Sequence, residues 1–382
     1  MKHAALLLAL VLSGPLLATS SRAASVDVSV SFYDSLAPYG DWIENERFGT
    51  VWTPRNVEST WRPYTRGQWV YSDYGWTWAS DEDWGWATDH YGRWYLDRSE
   101  GWIWVPGDEW APAWVNWRSG EGYVGWAPLP PGIDAFGEVD YDADPFAFCF
   151  VEERYFLAPG VFHHFVPLGR NVTYLRLTRN VTHYRRMNDR IVNFGIDIHH
   201  IERISGHAVP HAQIRDVWSA ADARRARVRH GEVALFHPSV VSSRPTAEPG
   251  VAGAWHARSD ANRPEIVIRR QEHERQQAES ALARQRRELE KMQKREIKHP
   301  PQVFAERAPE HEQPRRNAIQ QSTWINREQL NERHEAERKA QAAVEQRQRE
   351  ILQQRHEREQ RAVHAQPEKA KSDDSHHKHE RH

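Results

Sequence analysis

The chain has 382 residues, 18 tryptophans, one cysteine and a formal net charge of −2. Its length exceeds that of one ordinary domain and predicts about two or three structural units. The near-neutral total hides opposed regions, because residues 24–160 carry 8 Lys and Arg against 23 Asp and Glu, whereas residues 161–264 carry 15 against 8. A single cysteine, Cys149, excludes an intrachain disulfide, so the fold depends on buried side chains.

Residues 1–23 have the features of a secretory signal peptide. Lys2 and His3 precede an apolar run, and Ser21-Arg22-Ala23 supplies the small residues required for cleavage after Ala23. The run is interrupted by Ser13-Gly14-Pro15 and is shorter than the roughly 18 to 20 residues that span a bilayer. We therefore expect a periplasmic or secreted chain without a transmembrane segment after cleavage.

A tryptophan-rich repeat occupies residues 32–132, which hold 15 of the 18 tryptophans. The motif Gly75-Trp76-Thr77-Trp78 recurs 26 residues later as Gly101-Trp102-Ile103-Trp104. Each unit is predicted to be an antiparallel hairpin with a turn such as Ser72-Asp73-Tyr74-Gly75, because Gly, Asp and Ser favour turns. The glycine before each Trp pair allows either a ring across the backbone or a tight turn.

Because side chains alternate along a strand, paired tryptophans share one face. Six tryptophans form the candidate ligand-binding face: Trp76, Trp78, Trp84, Trp86, Trp102 and Trp104. Two interpretations stay open. The indoles form the core of a small module, which we favour, or a subset stays exposed and stacks on sugars, peptides or cations, rimmed by the acidic loops 81–83 and 108–109.

Six motifs carry a resemblance in combination: Ala37–Trp42, Gly49–Pro54, Trp61–Tyr64, Gly75–Trp78, Tyr91–Trp94 and Gly125–Pro131. Together they resemble a family of Trp-rich secreted bacterial proteins that carries a domain of unknown function. The similarity covers about residues 32–217. It implies export and a repeated β fold, and it brings no catalytic residues to this chain.

Residues 133–217 are predicted to be a mixed β/α segment. Its expected elements are strands at 146–156, 172–177, 190–194 and 210–217, and a helix at Ile198–Ser205 ended by Gly206. Residues 218–264, rich in Ala, Arg, Pro and Ser, are predicted to be a linker.

Residues 265–365 are predicted to be a polar helical, coiled-coil-like region with helices at about 265–298 and 318–364, followed by a disordered His-rich tail at 366–382. Leu330, Val344 and Ile351 share a heptad position that Glu337 interrupts. Two interpretations remain: solvated helices supported by i,i+4 ion pairs, or self-association or partner binding through the helices.

The sequence predicts a mainly β repeat module, a small α+β segment and a long polar helical tail. We find no catalytic, metal or cofactor motif in the sequence. The nearest approach to a zinc site, His334–Arg338, lacks the second histidine that such a site requires. We expect a non-enzymatic binding or scaffold protein of the bacterial cell envelope that engages an envelope polymer or protein. The alternative is an enzyme acting on cell-wall or extracellular glycan through Asp or Glu. Nucleic acid is not an expected partner, because the chain is exported.

Overall fold

The structure is a computed structural model that describes residues 29–240 except 138, 140, 142, 189, 225–227 and 229–230, together with 264–300, 302–303, 323–324 and 326–376. The predicted signal peptide and residues 377–382 of the His-rich tail lie outside these ranges. The predicted architecture is confirmed: antiparallel hairpins come first, a mixed segment follows, and two long helices end the described chain.

Four antiparallel hairpins build the Trp-rich module. The elements up to its end are β1 (Ser29–Val30), α1 (Phe32–Leu36), β2 (Gly40–Asn45), β3 (Gly49–Pro54), β4 (Gly67–Ser72), β5 (Gly75–Ser80), α2 (Gly85–Thr88), β6 (Arg93–Asp97), β7 (Gly101–Val105), β8 (Val115–Gly120) and β9 (Tyr123–Pro128). Each hairpin places a tryptophan directly opposite another, in the pairs Trp42–Trp52, Trp69–Trp78, Trp94–Trp104 and Trp117–Trp126. The sequence repeat is therefore a repeated cross-strand Trp pair.

In three of the four Trp pairs, a glycine makes room for the indole ring on the second strand of the hairpin. A Cβ atom on Gly67 would lie 2.8 Å from the Trp78 ring, one on Gly92 would lie 2.9 Å from Trp104, and Gly40 is crowded by Trp52 in the same way. The glycine before each Gly-Trp-X-Trp pair has the other predicted role: Gly75, with φ of 73°, completes a tight turn. The two roles are thus divided between different glycines.

The mixed segment adds strands to the module. Its elements are β10 (Cys149–Glu152), α3 (Asn171–Leu177), β11 (Arg179–Asn180), β12 (Tyr184–Met187), β13 (Arg190–Asn193), α4 (Ile198–Ser205), β14 (Gln213–Asp216), α5 (Ala220–Arg224), β15 (Glu232–Leu235) and β16 (Ser239–Val240), with 3-10 turns at Pro145–Ala147, Glu153–Tyr155, Val161–His164 and Leu168–Arg170. The three four-stranded sheets have the orders β2-β3-β7-β6, β12-β13-β5-β4 and β10-β9-β8-β11.

One hydrophobic core runs through the module and the mixed segment. The indole N–H of Trp76 donates to the carbonyl of Ile196 at 2.7 Å, and that of Trp117 donates to the Asn193 side chain at 2.9 Å. Phe156 packs edge-on against Trp76 with ring centroids 4.9 Å apart. Since buried indoles need acceptors for their N–H groups, the mixed segment completes the core of the module.

Two local predictions are wrong. Val172–Leu177, predicted to be a strand, lies in helix α3, because Thr173 and Tyr174 are buried in a tertiary contact that overrides a weak β propensity. Trp84 and Trp86, predicted to share the face of a strand, flank the start of α2 instead. Gly85 fits there closely against the Ser80 hydroxyl, where a larger residue would not.

Part of the predicted linker is folded. β15 pairs in parallel with β14, and Phe236 packs against Trp86 with ring centroids 5.1 Å apart. The Tyr91 hydroxyl donates to the carbonyl of Pro238 at 2.8 Å. The helix predicted at Ile198–Ser205 is confirmed, with Asp197 capping its start and Gly206 ending it in the left-handed conformation.

Two long helices, α6 (Pro264–Lys298) and α7 (Arg327–His376), form an antiparallel helical hairpin, with the two-residue strands β17 (Gln302–Val303) and β18 (Thr323–Trp324) between them. Helix α7 begins later than predicted because Asn326 and Gln329 form a reciprocal capping box, each side chain accepting from the backbone N–H of the other. Within the ranges given above, no helix combines the length and apolar character needed to cross a bilayer.

The helical hairpin folds back onto the body of the protein through a buried ionic cluster. Arg170 contacts Glu296 of α6 at 2.7 Å and Glu337 of α7 at 3.4 Å. Glu337 also accepts from Thr173 at 2.7 Å and from Gln293 at 2.9 Å. The acidic residue that interrupts the heptad pattern is therefore the point where the helix docks.

Candidate functional site

The six tryptophans of the predicted binding face do not form an open surface. Trp76, Trp78 and Trp104 are completely buried, Trp86 is 6% exposed, and Trp84 and Trp102 are partly buried. Their surroundings differ as well: Trp76 packs on Phe156, Trp78 on Trp69, and Trp86 on Phe236. Four of these rings thus belong to one buried core, and Trp84 and Trp102 pack against it.

Trp102 lies under the helical hairpin. It lines an apolar crevice of about 90 Å³ together with Val57 of the module and with Val344, Ile351 and Leu352 of α7. A ligand that stacked on this indole would have to share the crevice with the helix. Trp102 is therefore covered by another part of the same chain.

Two acidic side chains of the loop and helix after β5 turn inward. Glu82 accepts from the indole N–H of Trp61 at 2.5 Å, and burial raises the pKa of Glu82 well above its usual value. Asp89 is enclosed in the core, and burial raises its pKa to about 7, although Ser80, Trp94, Thr88 and Trp78 partly offset the rise. The predicted acidic rim thus contributes one member, Glu82, to the interior. Only about 30 Å³ of free space adjoins Glu82.

A large, open concave surface lies at the edge of the sheet that joins the module to the mixed segment. This edge groove has a volume of about 700 Å³ and includes Tyr71, Asp73, Met187, Arg190, Phe194 and His211. The pairing of β13 with β5 creates it, since Asn193 lies in register with Gly75. Asn193 approaches Gly75 so closely that a side chain there would collide with the Asn193 backbone.

The chemistry of the edge groove is mixed aromatic and charged. The Tyr71 and His211 rings lie 6.2 Å apart at one wall, and His211 Nε2 is 3.2 Å from the Asp73 carboxylate. Burial raises the pKa of Tyr71, so its hydroxyl stays a neutral hydrogen-bond donor at physiological pH. Met187, with 51% of its surface exposed, adds an apolar contact. Such a surface can stack on a sugar or apolar group and hydrogen-bond to its polar substituents.

Sequence reasoning did not find this groove. Tyr71 and Asp73 belong to the repeat, whereas Arg190 and Phe194 lie more than a hundred residues further along the chain. The usable signal was the turn at Ser72–Gly75, next to which the later strand pairs. In the described parts of the chain, no group of three or more His, Cys, Asp or Glu side chains could hold a metal ion.

Comparison with known proteins identifies one similarity. Residues 33–133 match a family of unknown function (DUF6600). This range coincides closely with the four Trp-paired hairpins, so the match covers the module alone. No curated protein matches the chain, and no solved structure matches it.

Proposed function

We propose that this chain is an exported, non-enzymatic binding or scaffold protein of the bacterial cell envelope, and that its edge groove holds a segment of an envelope glycan. Export is supported by the signal-like residues 1–23 and by the resemblance of the repeat to Trp-rich secreted bacterial proteins. The observation that carries the proposal is the groove itself, which combines accessible rings with hydrogen-bonding and charged groups.

The groove is suited to a polymer rather than to an enclosed small molecule. It is open to solvent rather than enclosed, so a segment of a longer chain can lie against it. Tyr71 and Phe194 offer ring faces, and Arg190 and Asp73 offer a donor and an acceptor for hydroxyl groups. Because the 15 indoles of the module serve mainly as core, the rigid sheet beneath supports these side chains without taking part in binding.

The test is sedimentation of the mature chain with purified peptidoglycan sacculi. We expect the wild type to bind, and the double variant Tyr71→Ala/Phe194→Ala to bind about tenfold or more weakly, since each stacking contact contributes about 1 kcal/mol. Trp218→Ala is the matched control, because Trp218 is 61% exposed and lies outside the groove. Equal loss in the control, or no binding by the wild type, would reject the glycan proposal.

The alternative, an enzyme acting on glycan, has one observation in its favour. Glu82 and Asp89 are enclosed carboxyl groups whose pKa values are raised by burial, as in general acids. Release of soluble fragments from sacculi by the wild type, and its loss in Glu82→Gln, would replace the binding proposal with this one.

A further inference from the structure

A row of six basic side chains follows the second half of α6. Arg284, Arg287, Lys291, Lys294, Arg295 and Lys298 recur at spacings of three, four, three, one and three residues. At 3.6 residues per turn these positions fall on one face of the helix, over a length of about 21 Å. This basic stripe points away from α7, because the buried positions Leu282, Leu289 and Gln293 occupy the opposite face.

Among the residues that the structure describes, the basic stripe makes few contacts that hold the fold together. Its side chains are exposed, and among the described residues its one ion pair joins Lys291 to Glu288 at 3.6 Å. The neighbouring Arg286 differs, since it pairs with Glu345 of α7. Like charges three or four residues apart on one face of a helix repel each other. The helix dipole favours Arg295 and Lys298, which lie in the last turn of α6, but it gives no reason for the four cations that precede them.

We infer that the basic stripe is a second binding site, and that its ligand is a linear polyanion with closely spaced phosphate or carboxylate groups. A single row of cations about 21 Å long matches an extended chain of anions. The stripe is narrow, because Glu288 and Glu290 lie on either side of it and would meet a flat anionic surface. The apolar face that a membrane-bound helix inserts into lipid is packed here against α7.

This site is independent of the edge groove, so the inference stands whether or not the groove binds glycan. The acidic module of a second copy is a weaker match, since its carboxylates are spread over several loops rather than in a row. The mixture of Arg and Lys fits either type of anionic group, because both side chains pair with phosphate as well as with carboxylate.

The experiment measures binding of fluorescein-labelled long-chain polyphosphate to the full mature chain by fluorescence anisotropy. We expect binding by the wild type that weakens steeply as salt rises, because each neutralised phosphate releases counterions. The triple variant Arg287→Glu/Lys291→Glu/Lys294→Glu should bind at least about tenfold more weakly and show a shallower dependence on salt. Lys291→Gln/Lys294→Gln/Lys298→Gln, which leaves no like-charge clash with the probe, should fall between the two.

The matched control is Arg98→Glu/Arg176→Glu/Arg203→Glu, which changes the net charge equally at three scattered exposed positions. It should bind as the wild type does, and all variants should keep the helical signal in circular dichroism. Tyr71→Ala/Phe194→Ala should also bind polyphosphate normally, which separates this site from the groove.

Equal weakening in the control would show that net charge alone matters. Binding to phosphatidylglycerol vesicles but not to polyphosphate would assign the stripe to membranes. Either result, or no binding to polyphosphate, overturns the inference.

Discussion

The core of the Trp-rich module is mainly aromatic, whereas the helical hairpin buries polar side chains beside apolar ones such as Leu282 and Leu289. Each β hairpin of the module encloses a cross-strand pair of indoles, whereas α6 and α7 enclose Gln271, Gln293, His334, Glu337 and Gln341. Apolar burial is non-directional and little affected by salt, while a buried charge is stable only with its partner in place. The module should therefore be the stable unit of this protein, and docking of the hairpin should depend on a few specific residues.

The ionic cluster at the docking point illustrates this dependence. Burial alone would raise the pKa of Glu296, but the charges of Arg170 and Arg333 outweigh it and lower the pKa of that carboxyl. Glu296 also accepts from His334 at 2.8 Å. The group therefore stays ionised where it is partly buried, and it holds the body and both helices together through charge.

The largest expected effect comes from opening the indole core. Trp104→Ala should lower the free energy of unfolding of the module by about 3 to 5 kcal/mol, because it removes a completely buried ring and leaves a cavity. Urea denaturation followed by circular dichroism measures this change. Trp218→Ala is the matched control and should change stability by about 0.5 kcal/mol or less. Similar small losses in both variants would mean that the module does not depend on its indoles.

A smaller and more local effect is expected at the docking point. Glu337→Ala should destabilise docking of the helical hairpin by about 3 kcal/mol, since Arg170 and Thr173 lose a buried partner. Hydrogen exchange should rise in α6 and α7 while the module stays protected. The control is Glu335→Ala, because Glu335 is exposed and pairs with Lys339 alone among the residues described here. Faster exchange throughout the module would show that the two regions unfold together.

The contribution of Asp89 to the stability of the fold depends on pH. Its folded-state pKa of about 7 lies above the ordinary value of 3.8, so the neutral carboxyl stabilises the fold at low pH, and this stabilisation is lost as pH rises from about 4 through 7. Asp89→Asn keeps a neutral side chain at every pH. We expect the free energy of unfolding of the variant, relative to that of the wild type, to be about 2 kcal/mol higher at pH 8 than at pH 5.

The measurement for Asp89 is urea denaturation at both pH values. Comparison with the wild type cancels the opposite contribution of His90, whose pKa burial lowers to about 4. Asp83→Asn, at an exposed position of the same loop, should show no such difference between the two pH values. If the free energies of unfolding of Asp89→Asn and the wild type differed by the same amount at both pH values, Asp89 would be charged in the folded protein throughout this range.

The sequence by itself determined the hairpin repeat, the helix at Ile198–Ser205 and the start of α6 near residue 265. Alternation, turn residues and helix caps are local signals, and the local chain decides these elements. It also favoured the indoles as core, because a few rings of this size supply the buried area that a small module needs. The repeat did not show which hairpins join into one sheet, or that Trp84 and Trp86 lie outside the strands.

Only the tertiary structure decided the groove, the inward turn of Glu82 and Asp89, and the docking of the helices. Arg190 joins Tyr71 through the pairing of β13 with β5, and Glu337 meets Arg170 across more than 160 residues of chain. From the sequence alone, Glu337 only interrupts the heptad pattern, and its role becomes clear once its buried partner Arg170 is known. Contacts between distant segments depend on the packing of the whole chain, whereas periodicity reports only the face of each element that is buried.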